Sequence, residues 1–208
     1  MKTITERPIL FSTPMVEAIL AGRKTQTRRV ADLSNWALDP DKPFKAAANP
    51  AVARAMSPYK VDRLWVRETH LFAAGFTYRP ETPKKISPDG QCAFFRAGWP
   101  WGAVSKWRPS IFMPRWASRI TLKVLGVRLE RVQGISEDDA IAEGIDWKQV
   151  DNWTKSYLSG VDTYTHFTAK DAYRALWDSL NAKRGFGWDT NPWVWVIEFE
   201  VEGGQHGK

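Results

Sequence analysis

Gly22-Arg-Lys-Thr-Gln-Thr-Arg-Arg29 packs four cations and two threonine hydroxyls into eight residues. A half-buried strand alternates apolar and polar side chains, and an amphipathic helix spaces its apolar positions three and four apart. This run does neither, so core packing does not account for it. It reads either as a solvated basic turn, the common fate of a charge run, or as a site. Upstream, Ser12 or Thr13 can cap a helix whose first residue is Pro14 and whose apolar face is Val16, Ile19 and Leu20. Gly22 then suits a left-handed C-terminal position. The basic run begins where that helix stops. Lys24 and Thr27 are three apart, which sets them on opposite faces of a flat strand; for the two to cooperate, the backbone has to bend.

Downstream, residues 31–60 are rich in Ala, Pro, Asn and Asp with little periodicity and read as a surface insertion with at most a short helix near Val52 to Met56. Asp62 to Thr69 alternates Leu64 and Val66 against Trp65 and Arg67, a strand with one face on the core and Glu68 near its end. Residues 72–110 mix prolines, glycines, aromatics and cations, as a long loop over a site or an inserted hairpin would. Ile120, Leu122 and Val124 alternate with charged neighbours, Gly126 permits a bulge, and Val127 to Val132 alternates again. Ser136 caps an acid-rich helix that ends before Gly144. Glu143 then faces the negative end of the helix dipole, where a carboxylate costs about 0.3–1 kcal/mol. Residues 146–169 form another insertion, Lys170 to Asn181 a helix with Ala172, Tyr173, Leu176, Trp177 and Leu180 on one face, and Trp193 to Val201 a terminal core strand.

The 208 residues are long enough for one domain with a sizeable core, and lysine and arginine outnumber the acids 30 to 23, a net charge of +7 that favours a polyanionic partner or anionic ligand without specifying one. One cysteine, Cys92, excludes an intrachain disulfide. Three scattered histidines, His70, His166 and His206, offer no zinc spacing, so neither a metal nor a cofactor is expected. No apolar run approaches the roughly 20 residues of a membrane span, and no signal-peptide pattern opens the chain, which reads as cytoplasmic. Twelve tryptophans, several beside arginine, can stack nucleobases or roof a small β-core.

Taken in order, Ile19-Leu-Ala-Gly-Arg-Lys-Thr-Gln-Thr-Arg-Arg29, Asp62-Arg-Leu-Trp-Val-Arg-Glu68, Ile135-Ser-Glu-Asp-Asp-Ala-Ile-Ala-Glu-Gly144 and Val196-Ile-Glu-Phe199 resemble an ASCH domain. The resemblance implies an α+β fold, a small mixed β-barrel of the PUA-like kind with peripheral helices. It makes residues 1–208 a single domain with insertions at about 31–60, 72–110 and 146–169. The longer form, with Pro109-Ser-Ile-Phe-Met-Pro-Arg-Trp-Ala-Ser-Arg-Ile120 and Asn191-Pro-Trp-Val-Trp195, looks like ASCH proteins carried by prophages. The family signature, Gly-x-Lys-x-x-(Glu or Thr)-x-Arg, falls on Gly22, Lys24, Thr27 and Arg29.

Its threonine form resembles the bacterial N4-acetylcytidine amidohydrolases, which implies a catalytic trio of Lys24, Thr27 and Glu143. Lys24 would be the base, Thr27 the nucleophile, and Glu143 the group that orients Lys24 or activates water. Gly22, Arg23, Arg28, Arg29, Trp65, Arg67 and Glu68 would then bind a nucleoside or RNA in a cationic cleft, Arg29 facing the oxyanion and Trp65 stacking on the pyrimidine. Val61-Asp62 departs from the Gly-Asp that precedes this strand in many members, and the tryptophan-rich insertions have no counterpart in the small enzymes. A nucleic-acid-binding module without chemistry, or a ribonuclease, are the alternative readings.

Overall fold

A computed structural model describes residues 3–33, 42–73, 84–100, 106–146 and 168–203. Its strands belong to two sheets, and no closed barrel is present among the described residues, where the resemblance implied one. The strands Glu6–Leu10 (β1) and Gln26–Val30 (β2) each have a single strand neighbour among the described residues, so the larger sheet ends at them instead of closing. Contacts divide the chain into two compact units: Met1–Gly22, Val61–Val124 and Glu200–Lys208 form the first; Arg23–Lys60 and Leu125–Phe199 form the second.

In the first unit, β1 runs parallel to Arg63–Arg67 (β3), with Pro8 opposite Trp65. β3 pairs antiparallel with the start of the long strand Thr121–Arg131 (β7), with Leu64 opposite Leu122. The period-two pattern decides which way each side chain faces: Ile9, Leu64, Val66, Leu122 and Val124 are buried. Helix Thr13–Leu20 (α1) has Pro14 in its first turn and buries Val16, Ala18 and Ile19, while Leu20, expected on that face, is exposed. Gly22 stands at φ +71°, as the helix stop requires. A smaller sheet joins His70–Ala73 (β4), Lys84–Ile86 (β5) and Cys92–Phe95 (β6) in the order β4-β6-β5. The part of the 72–110 insertion carrying β5 and β6 is thus a hairpin, its turn closed by Ser87 N donating to the Gln91 carbonyl at 2.9 Å.

In the second unit, β2 pairs antiparallel with Trp193–Val201 (β8), Thr27 opposite Ile197 and Arg28 opposite Val196. Residues 31–60 hold two helices, Lys42–Ala48 (α2) and Pro50–Met56 (α3), where one short helix was expected. Asn49 separates them and caps α3, its Oδ1 accepting from Ala51 N at 3.0 Å. β7 runs on through Gly126, but its buried positions slip from Leu122 and Val124 to Val127 and Leu129, the change of phase a bulge produces.

Ser136 Oγ accepts from Asp139 N at 3.1 Å and starts helix Glu137–Ala142 (α4). Thr168 and Asp171 form a reciprocal capping box on helix Ala169–Asn181 (α5). Tyr173 and Trp177 of α5 pack with Val132, Ile135, Ala140, Val194 and Val196, while Leu180, expected on the same face, is exposed. Both faces of β8 are buried from Val194 through Ile197, so that part reads as a central strand and not a one-sided one, before Glu198 turns to solvent. Most of the expected insertion at 146–169, with Trp147 and Trp153, lies outside the described residues, as do Trp36 and Trp101.

Candidate functional site

The second unit gathers the opening run around Glu143. Gly144, at φ +93°, terminates α4 and leaves Glu143 as its C-cap. Lys24 forms an isolated antiparallel bridge with Glu143, fixed by Thr25 N donating to the Ala142 carbonyl at 2.9 Å. The backbone pairing brings the side chains side by side. Lys24 Nζ donates to Glu143 Oε2 and to the Glu143 carbonyl, each at 2.7 Å. Arg28 Nη1 donates to the other carboxylate oxygen, Oε1, at 3.1 Å. Each Glu143 oxygen therefore serves one cation, and all three side chains are buried.

Arg28 is held on three sides. Its Nε and Nη2 donate to Glu130 Oε1 at 2.9 and 2.6 Å, and Nη2 also donates to Asp139 Oδ2 at 2.7 Å. Gln26, one alternation back on the same face of β2, donates through Nε2 to the Asp139 carbonyl at 2.7 Å and to Oδ1 at 3.0 Å. Arg128 on β7 completes the ring, donating to Asp139 Oδ2 at 2.8 Å, to Glu130 Oε2 at 3.2 Å and to Glu198. Three cations, Lys24, Arg28 and Arg128, thus meet four carboxylates, Glu130, Asp139, Glu143 and Glu198. The carboxylates outnumber the cations by one, so the cluster is not the open cationic cleft that the run of positive charge suggested.

Burial and pairing act in opposite directions on each group. Burial pulls the Lys24 ammonium below its ordinary value; Glu143 resists this through charge and hydrogen bond, and Arg29 and Arg28 add to the lowering. Burial would also lower Arg28, but Glu143 and Glu130 outweigh it and hold the guanidinium more firmly protonated. At Asp139 burial works upward and is outweighed by the Gln26 hydrogen bond and by Arg28 and Arg128, which keep the carboxyl below its ordinary value. Burial, with Glu143 next, pushes the Tyr173 phenol well up, so it stays a neutral wall; its ring lies 5.8 Å from the Arg28 guanidinium carbon.

The other expected site residues fall in different places. Thr27 is buried, but alternation along β2 sets it on the face of Ile197, opposite Arg28 and Val196. The structure therefore joins Lys24, Arg28 and Glu143 and leaves Thr27 on the other side of the strand. Arg29 shares Thr27's face, opposite Trp195 in the ladder, and burial lowers its pKa against support from Tyr59 and Glu143. Arg23 is exposed, with Nη1 donating to the Gly144 carbonyl at 3.3 Å and standing 3.8 Å from Asp146.

Gly22, Trp65, Arg67 and Glu68 belong to the first unit. Arg67 Nε donates to the Met113 carbonyl at 2.9 Å, and its guanidinium carbon lies 5.1 Å from the Trp65 ring. Glu68, expected to bind ligand, is buried in a two-pronged pair with Arg119 at 2.9 and 3.0 Å. Burial raises its pKa, and Arg119 opposes the rise. That pairing is the work of a buried structural carboxylate.

Sequence patterns did not single out Gln26 within the run, nor Arg128, Glu130, Asp139 and Glu198 as its partners. Asp139 was visible only as an acid in the first turn of α4, and Arg128 and Glu130 only as the polar side of an alternating strand. Among the described residues no group of three or more His, Cys, Asp or Glu side chains is arranged to hold a metal ion, and no helix is long and apolar enough to cross a membrane.

No family model and no curated protein matches the chain. Among solved structures it is similar to an ASCH domain from Lactobacillus crispatus JV V101, with a TM-score of 0.42 and 12% identity over 95% of this chain and 79% of that one. It is also similar to a DUF984 protein from Enterococcus faecalis V583, with a TM-score of 0.37 and 11% identity over 100% of this chain and 88% of that one. Identities of 11 and 12% transfer no residue roles, so the chemistry of the Lys24 cluster stands on its own geometry.

Proposed function

We propose that the chain is an ASCH-type protein that takes a nucleoside or RNA ligand and hydrolyses an N-acylated, cytidine-like amide at the Lys24–Glu143 pair. The observation that carries this is a buried lysine, its pKa lowered, held at 2.7 Å from a carboxylate that an arginine fixes from behind. A base works best when its pKa lies near the working pH, and burial is the usual way to bring a lysine down to it. In the reaction, Lys24 Nζ takes a proton from a water molecule as the water oxygen bonds to the acyl carbon, with Glu143 holding Lys24 in place. The C–N bond then breaks, the same proton passes from Lys24 to the leaving amine, and the acid is released with Lys24 again neutral. Arg28 has no contact with substrate in this scheme; it orients Glu143.

Chromatography of N4-acetylcytidine incubated with the purified protein tests the reading. Appearance of cytidine, abolished by Lys24→Met, supports it, and no cytidine at high enzyme concentration overturns it. Thr27→Ala tests the nucleophile separately: Thr27 lies on the other face of β2, so the variant should leave turnover intact, and loss of turnover by a folded Thr27→Ala variant refutes direct attack by water and makes Thr27 the nucleophile.

The burial of the same pair favours a second reading, a nucleic-acid-binding module without chemistry. With the side chains of Lys24 and Glu143 only 0% and 4% exposed, the cluster can serve to fasten β2 to α4. Phosphate contacts then fall to exposed cations such as Arg23, and affinity for RNA should drop steeply with salt while ignoring Thr27→Ala.

A further inference from the structure

The outward side of the strands in the first unit is built differently from the Lys24 cluster. In the register of β1, β3 and β7, Glu6, Arg63 and Lys123 form one row, Pro8, Trp65 and Thr121 the next, and Leu10 and Arg67 the last. Their neighbours Ile9, Leu64, Val66 and Leu122 fill the buried side, so these rows face outward. Trp65 sits at the centre, half-buried, with the guanidinium carbons of Arg67 and Arg115 at 5.1 and 5.7 Å from its ring. The turn Ser110–Phe112, immediately before the Met113 carbonyl that anchors Arg67, leaves Ile111 56% and Phe112 65% exposed. Leu10 is exposed as well.

We propose that this face docks single-stranded nucleic acid, with Trp65 and its two flanking guanidinium planes as the stacking platform and the surrounding cations on the phosphates. The inference rests on the nucleic-acid ligand of the functional reading but not on its chemistry. Flat π-surfaces interleaved with guanidinium planes accept any base by stacking, whereas a protein partner would need complementary shape over a wider apolar area. The cations here are also available in a way that those around Glu143 are not. Arg115 pairs with Glu6, Arg63 with Glu202 and Lys123 with Glu200, all partly exposed. Such surface pairs are worth about 0–1 kcal/mol, so a phosphate can replace the carboxylate at little cost. Arg67 has no carboxylate partner among the described residues and offers its remaining donors without any exchange. The chain's +7 net charge adds a long-range pull of the same sign.

Fluorescence anisotropy of a labelled oligouridylate titrated with the full chain reads the proposal directly, repeated at several salt concentrations. Trp65→Ala should weaken binding roughly 5- to 100-fold at constant salt. Arg115→Gln should lower the slope of log affinity against log salt by about 0.7, the loss of one phosphate contact to a single strand. Should Trp65→Ala misfold, Phe112→Ser, at an exposed position, should still weaken binding severalfold. Wild-type protein that fails to bind the oligonucleotide, or variants that bind as well as wild type, overturn the proposal. So does ultracentrifugation showing that Phe112→Ser abolishes a wild-type dimer without altering oligonucleotide binding, since the face then belongs to a second copy. Hydrolysis of N4-acetylcytidine without oligonucleotide binding sinks this inference alone, and binding at Trp65 without hydrolysis sinks the enzymatic reading alone.

Discussion

Glu143→Gln should be the most damaging conservative change in the second unit. The carboxylate sits between two buried cations, with one oxygen 2.7 Å from Lys24 Nζ and the other 3.1 Å from Arg28 Nη1. Removing one partner of a buried ion pair leaves an uncompensated charge and costs about 3–5 kcal/mol. Here the lower end applies, because Lys24 keeps its bond to the Glu143 backbone carbonyl and Arg28 keeps Glu130 and Asp139. For a chain of this size about 3 kcal/mol corresponds to a fall in Tm of roughly 6–12 °C. Urea unfolding followed by tryptophan fluorescence, with Tm from calorimetry, measures both.

Glu200→Gln, which breaks an exposed pair with Lys123, is the control and should cost less than about 1 kcal/mol. The double variant Lys24→Met with Glu143→Leu removes both charges and keeps volume, and should recover most of the loss. If Glu143→Gln unfolds within about 0.5 kcal/mol of wild type, the carboxylate is not what fastens the run to α4, and the account of the cluster is wrong.

Lys24 has a folded pKa below its ordinary 10.5, so the unfolded chain binds the extra proton between the two values and stability rises with pH across that window. Wild type should therefore gain on Lys24→Met as pH climbs from neutral toward 10.5, and a constant difference in urea midpoint refutes it. Asp139 behaves with the opposite sign: its contribution is present above 3.8 and is lost as pH falls through the lower folded value. Acid unfolding followed by circular dichroism should show a steeper limb for wild type than for Asp139→Asn, and superimposable limbs contradict the Arg28 and Arg128 contacts. Gly144→Ala forces a Cβ into φ +93° beside Glu143 and should cost roughly 1–2 kcal/mol in calorimetry; an unchanged Tm shows that the turn can relax.

Local signals in the sequence were reliable where the physics is local. Ser136 before an acid-rich first turn, Gly144 after the last helical residue, and the alternation of Leu64 and Val66 against Trp65 each act within a few residues, and each appears as read. The Asn49-Pro50 start of α3 carries the same kind of signal, a capping side chain followed by proline at the first helical position, but it was masked by the alanine and proline composition around it. Leu180 shows the limit of periodicity, since a helix face wider than its neighbour leaves one apolar position in solvent.

The sequence by itself determined that residues 22–29 are chemically unusual, that a helix stops at Gly22, and that Glu143 ends another helix at a position its dipole disfavours. It could not determine which acids would neutralise the cations. Glu130, Asp139 and Glu143 stand 102, 111 and 115 residues from Arg28 and reach it only once β2 has paired with β8 and Lys24 has bridged to the end of α4. Charge in a sequence can be counted, but whether it faces water, a ligand or a carboxylate depends on what the fold buries beside it, and here burial turned part of a basic run into an ion-pair cluster in which carboxylates outnumber cations.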